Sequence, residues 1–127
     1  MSYKWVSRRA VEAIHNEQLA QHGGMMGLRD DALLESALAR PQNLFGYEQA
    51  SLTQCAAAYA FGIIRNHPFN DGNKRTGFVV AVTFLLLNGC YITASELEVF
   101  EIITRLASGA ISEEELMEWF ERIIVKL

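Results

Sequence analysis

The chain has 127 residues, half of them hydrophobic, and carries a net charge of −4 at neutral pH. That length suits one domain spanning residues 1–127 with a real core, and the hydrophobic share excludes a disordered chain. The acidic balance argues against direct nucleic-acid binding, which calls for a clustered basic face, but leaves room for a small phosphate-binding patch.

Met1 to Val6 show no apolar run of leader type, so the chain is expected to be soluble and cytoplasmic. Ser7 caps a first helix with Val11, Ile14 and His15, ending at Gly23-Gly24. His22 to Gly27 reads as a flexible turn between helices. Asp30 or Asp31 starts a second helix with Leu33, Leu34, Ala37 and Leu38 on one side. Pro41 is expected to stop it, because the residue before a proline is pushed out of helical geometry. Pro41 to Tyr47 then becomes a loop holding Phe45 and Tyr47. Ser51 to Arg65 is apolar nearly all round, as expected of a central helix. Asn73 to Leu87 is a second such segment and closes with Asn88-Gly89, a helix stop. Its apolar stretch, Gly77 to Leu87, falls short of the roughly 20 residues that span a bilayer. No membrane association is therefore expected. Ser95 with Glu98 and Ser112 with Glu115 form S-x-x-E capping boxes for two last helices. Tyr91 to Thr93 and the first few residues are the only candidates for extended structure. Cys55 and Cys90 sit among apolar neighbours and read as buried free thiols of a reducing compartment. The expected fold is all-α, a compact bundle of six helices around two buried ones.

Between the buried helices lies His67-Pro68-Phe69-Asn70-Asp71-Gly72-Asn73-Lys74-Arg75-Thr76. The second buried helix begins near Gly72, where unpaired N–H groups and the helix dipole suit an anion. Lys74 and Arg75 in that first turn each cost about 0.3–1 kcal/mol from the dipole alone, and a bound polyphosphate turns the cost into a gain. Gly72 lets a ligand approach the backbone. Taken singly, each residue has a plainer reading: Asp71 as the helix N-cap, Arg65, Lys74 and Arg75 as solvated charges, His67 as a structural histidine. Their coincidence within one short loop favours a phosphate site. No P-loop, dinucleotide fingerprint or nucleophile elbow is present, and the histidines lack metal-ligand spacing.

The segment His67 to Thr76 closely resembles the signature H-P-F-x-[DE]-G-N-[GK]-R of the Fic/Doc family. Leu28-Arg29-Asp30 and Ala37 to Gln42 are similar to its Doc (death on curing) branch. The resemblance implies a Fic/Doc-type bundle with the active-site loop between its two buried helices. It also implies His67 as general base, Phe69 as the loop's anchor in the core, and Asp71 as the Mg²⁺ ligand. Gly72, Asn73, Lys74 and Arg75 would form the anion hole. Asn70 and Arg65 would contribute to phosphate binding. Arg40, Pro41, Phe45 and Tyr47 are candidates for docking the target protein.

Fic enzymes that transfer AMP usually carry glycine where this chain has Lys74, and a second arginine where it has Phe78. Doc-type members share both changes and use the loop as kinases. Gly72 points the other way, since Doc carries alanine there. The resemblance therefore implies transfer of the γ-phosphate of ATP, with Mg²⁺, to a Ser or Thr hydroxyl. The implied target is the translation GTPase elongation factor Tu, and the implied result a halt in protein synthesis. A small antitoxin whose disordered tail folds on binding is the implied partner. AMP transfer by the same residues is the enzymatic rival. A helical module that binds nucleotide without turnover is the non-enzymatic one.

Overall fold

The computed structural model describes residues 2–127. Ser7, Asp30, Ser95 and Ser112 each accept a backbone N–H from the first helical turn and so open four of the helices. Those four are α1 (Arg8–His22), α2 (Asp31–Glu48), α5 (Glu96–Ser108) and α6 (Glu113–Ile123). The two central helices are α3 (Leu52–Asn66) and α4 (Asn73–Leu87). Ser51 and Gln54 make a full capping box on α3. The S-x-x-Q pattern was there to be read in the sequence.

The expected six helices are all present, and α3 is buried along nearly its whole length, from Thr53 to Ile64. It packs against α4 on one side and α2 on the other, with α6 across a third. At the α3–α4 crossing Gly77 is needed for close approach: a Cβ there would lie 2.8 Å from Ile64 Cγ1. Burial pushes the Cys55 thiol up to about 11, which keeps it protonated and inert. Cys55 and Cys90 are both free and buried, as expected. Among the described residues no helix is long and apolar enough to cross a membrane.

The second helix does not stop at Pro41. α2 continues through it to Glu48, so the expected loop from Pro41 to Tyr47 does not exist. Proline in a helix interior costs about 3 kcal/mol. Here Pro41 is fully buried, and Leu44 and Phe45 beyond it pack on the core. Full burial of such side chains is worth about 1.5–3 kcal/mol each, and the partial burial of Leu44 and Phe45 together with buried Pro41 offsets the cost. α2 instead ends at Gln49, in left-handed geometry with φ 51°. The docking candidates change character accordingly. Arg40 is ion-paired with Glu113 and lies over the Phe61 ring. Pro41 is buried, Phe45 packs on Tyr3 and Trp5, and only Tyr47 is freely exposed.

Extended structure does occur at β1 (Cys90–Ile92), one residue earlier than the expected Tyr91 to Thr93. Its antiparallel partner is β2 (Ile124–Lys126), directly after α6, and not the first residues of the chain. Those residues are held differently: Lys4 N–H donates to Asn88 Oδ1, and Asn88 Nδ2 donates to the Lys4 carbonyl, both at 2.9 Å. The Ser95 box is only half made. Ser95 caps α5, but the Glu98 carboxylate turns away to accept from Trp119 Nε1 at 2.7 Å, tying α5 to α6.

Candidate functional site

The loop from His67 to Gly72 joins the two central helices, and nearly every residue in it is pinned. His67 is the C-cap of α3 in left-handed geometry, φ 54°, a region histidine visits more readily than most residues. Arg29 holds that turn: its Nε donates to the His67 carbonyl at 2.6 Å and its Nη2 to the Asn66 carbonyl at 2.9 Å. The Pro68 carbonyl accepts from the N–H groups of Arg29 and Asp30. Phe69 is buried, as its anchoring role requires. Asn73 embraces it from α4, accepting from the Phe69 N–H at 3.0 Å and donating to its carbonyl at 2.9 Å.

The segment from His22 to Gly27, expected to be a flexible turn, forms with Leu28 and Arg29 the other half of this clamp. Leu28 bridges Phe69 in antiparallel fashion, Asn70 N–H donates to the Gly27 carbonyl, and Asn70 Nδ2 donates to the Met26 carbonyl. The glycines of this segment serve unusual backbone angles, with positive φ at Gly23, Gly24 and Gly27, and not mobility. Gly24, at φ 126°, shows the constraint: a Cβ there would sit 3.0 Å from both Asp71 Cβ and Leu19 Cδ2. Gly24→Ala is expected to destabilise the fold by about 1–3 kcal/mol and to push Asp71 out of place. Thermal melts read the first effect. Loss of exchange protection at the Met25 amide, which donates to Asp71 Oδ2 at 2.6 Å, reads the second.

That last bond corrects one plain reading of Asp71. Its carboxylate does not cap α4; the N-cap is Gly72, at φ 79°, and no side chain caps the helix at all. The first-turn N–H groups of α4 are thus left without side-chain partners. Lys74 and Arg75 are exposed beside them, and among the described residues neither makes an ion pair. His67, Asp71, Gly72, Asn73, Lys74 and Arg75 all line one cleft of about 310 Å³. The Asn73 side chain is spent on Phe69, which leaves only its backbone N–H for any anion in the cleft.

Two expected contributors stand apart. Asn70 braces the loop and does not line the cleft. Arg65 lies over the Phe61 ring with a guanidinium nitrogen close to Gly109. The cleft gains residues that were not singled out: Gln18 and His22 from α1, and Phe100 and Ile103 from α5. No motif marks the α5 pair, because their approach depends on how α5 packs.

A magnesium ion fits this site only together with phosphate. Asp71 is the one carboxylate lining the cleft, and just one of its oxygens takes a backbone N–H. Among the described residues no group of three acidic, histidine or cysteine side chains could cage a metal. One carboxylate plus phosphate oxygens and water is an ordinary magnesium environment.

Fold and site together define an all-helical domain that presents a His…Asp-Gly-Asn-Lys-Arg loop at the open N-terminus of a central helix. The Fic/DOC family matches residues 5–85. The "Protein kinase doc" of Escherichia phage P1 is 30% identical over 119 residues, covering 93% of this chain and 94% of that protein. The "Toxin Doc" of Mycolicibacterium smegmatis is 43% identical over 74 residues, 57% of each chain. The chain belongs to the Fic/Doc family.

Proposed function

We propose that this protein is a Doc-like toxin of a toxin–antitoxin pair, a cytoplasmic kinase that moves the γ-phosphate of ATP onto a Ser or Thr hydroxyl of a protein target. The proposed target is elongation factor Tu, whose modification halts protein synthesis. The observation that carries the reading is the uncapped start of α4, flanked by Lys74 and Arg75 and facing the same cleft as His67 and Asp71. A helix start without a side-chain cap and two cations at one point are electrostatically costly until a polyphosphate arrives. The name of the phage P1 relative supports a kinase, and that of the mycobacterial relative a toxin.

In the proposed reaction His67 takes the proton of the target hydroxyl as its oxygen bonds to the γ-phosphorus. The bond to the bridging oxygen breaks and ADP leaves. Lys74, Arg75 and the α4 N–H groups bind the polyphosphate and stabilise charge on the transferring group. Asp71 would hold Mg²⁺, which supplies charge neutralisation on the phosphate oxygens. The proposed antitoxin covers the site with a tail that is disordered until bound, which makes inhibition reversible by proteolysis.

AMP transfer is the second reading, favoured by one observation: Gly72, whose φ of 79° suits glycine and leaves the backbone bare at the phosphate turn. The same residues serve, but the α-phosphorus is attacked and pyrophosphate leaves. ATP labelled at the α or γ position separates the two. A bacterial lysate with Mg²⁺ and the protein is expected to give a band the size of a translation GTPase labelled only from γ-labelled ATP. Label only from α-labelled ATP establishes AMP transfer. Label from neither supports a binding module.

A further inference from the structure

His15 lies on α1, 56 residues from the loop it touches. On an amphipathic helix it occupies the inward face with Val11 and Leu19 and is only 3% exposed. Its ring stacks on Phe69, with centroids 3.8 Å apart and planes 10° from parallel. Its Nε2 lies 2.8 Å from the Asp71 carbonyl oxygen. A carbonyl only accepts, so Nε2 must carry the hydrogen and donate. A Cβ added at Gly72 would come within 3.7 Å of the same nitrogen.

The carbonyl of Asp71 and the N–H of Gly72 belong to one planar, trans peptide unit and point in opposite directions. A donor that draws the carbonyl toward buried α1 therefore turns the Gly72 N–H the other way, to the side on which Gly72 lines the cleft. We infer that His15 is a positioning residue that sets this peptide plane, aiming the Gly72 N–H, and the first turn of α4 behind it, at the bound phosphate. The inference rests on the loop being the phosphate-binding turn proposed above. Imidazole suits the task because one flat ring supplies both the stack on Phe69 and a donor at a fixed height.

Three variants of the full chain test this. His15→Phe keeps the stack and removes the donor; His15→Gln keeps a donor at similar reach and removes the ring; His15→Asn carries a donor too short to reach. Each is followed by thermal melting, by the amide resonances of Gly72 and Asn73, by affinity for Mg·ATP, and by label transfer. His15→Phe is expected to fold, to move both resonances, and to lose about 10- to 100-fold in transfer, the scale of a misplaced donor. His15→Gln is expected to restore the resonances and most of the affinity. The inference is overturned if folded His15→Phe keeps wild-type resonances and affinity. Should that variant not fold, equal behaviour of His15→Gln and His15→Asn overturns it instead. Failure of the kinase reading looks different: wild-type protein then gives no γ-label, while the resonances still decide the role of His15.

Discussion

His67→Ala is expected to leave the fold intact and to remove transfer activity, with a loss of about 10²–10⁴ in rate, the usual share of a general base. The fold is spared because His67 is exposed at the end of α3, and its contribution to the clamp is a carbonyl that alanine also has. Left-handed geometry suits alanine slightly less than histidine, so a destabilisation of about 1 kcal/mol accompanies the change. The readouts are label transfer, growth after induced expression, and circular dichroism for folding. A folded variant that transfers label at the wild-type rate removes His67 from the chemistry.

The largest loss of stability is expected from Phe84→Ala. Phe84 is fully buried on α4, stacked on Trp5 at 5.4 Å and meeting Tyr59 at 5.2 Å and Tyr3 at 5.9 Å. Emptying such a position costs about 3–5 kcal/mol through lost transfer energy and the cavity left behind. That is a large part of a domain's ordinary 5–15 kcal/mol. The cluster also fixes the N-terminal segment, since Tyr59 accepts the Val6 N–H at 3.0 Å. Denaturant unfolding measures the loss. A drop under about 1 kcal/mol would mean that the aromatic cluster collapses to fill the gap.

Much of the fold was written in local chemistry. Capping residues such as Ser7 and Ser112 satisfy groups a few residues away, so their effect is readable from short patterns. The failures share a different origin. Pro41 was read by its local preference, but its fate was decided by packing across α2 and α3. Glu98 had a local partner in its own cap and chose Trp119, 21 residues away. β2 forms only because β1 is presented to it, which no window of sequence around Ile124 reveals. The loop from His67 to Arg75 was legible because its residue types are chemically unusual together. Its supports were not: His15 and Arg29 look like ordinary helix and turn residues until the fold carries them to the loop. A polar residue on the apolar face of α1 was the available hint for His15.

The cleft is built from two parts that are held in different ways. Its floor, His67 and the residues from Asp71 to Arg75, lies within the segment matching the family, and the loop that carries it is clamped at His67, Pro68, Phe69 and Asn70. The wall contributed by α5 lies outside that segment, and Phe100 stands 57% exposed on it. Substitutions at Phe100 alter the outline of the entrance while leaving the clamped loop untouched. Such a division separates the outline of the cleft's rim from the geometry of its floor, so that one can change while the other stays as it is.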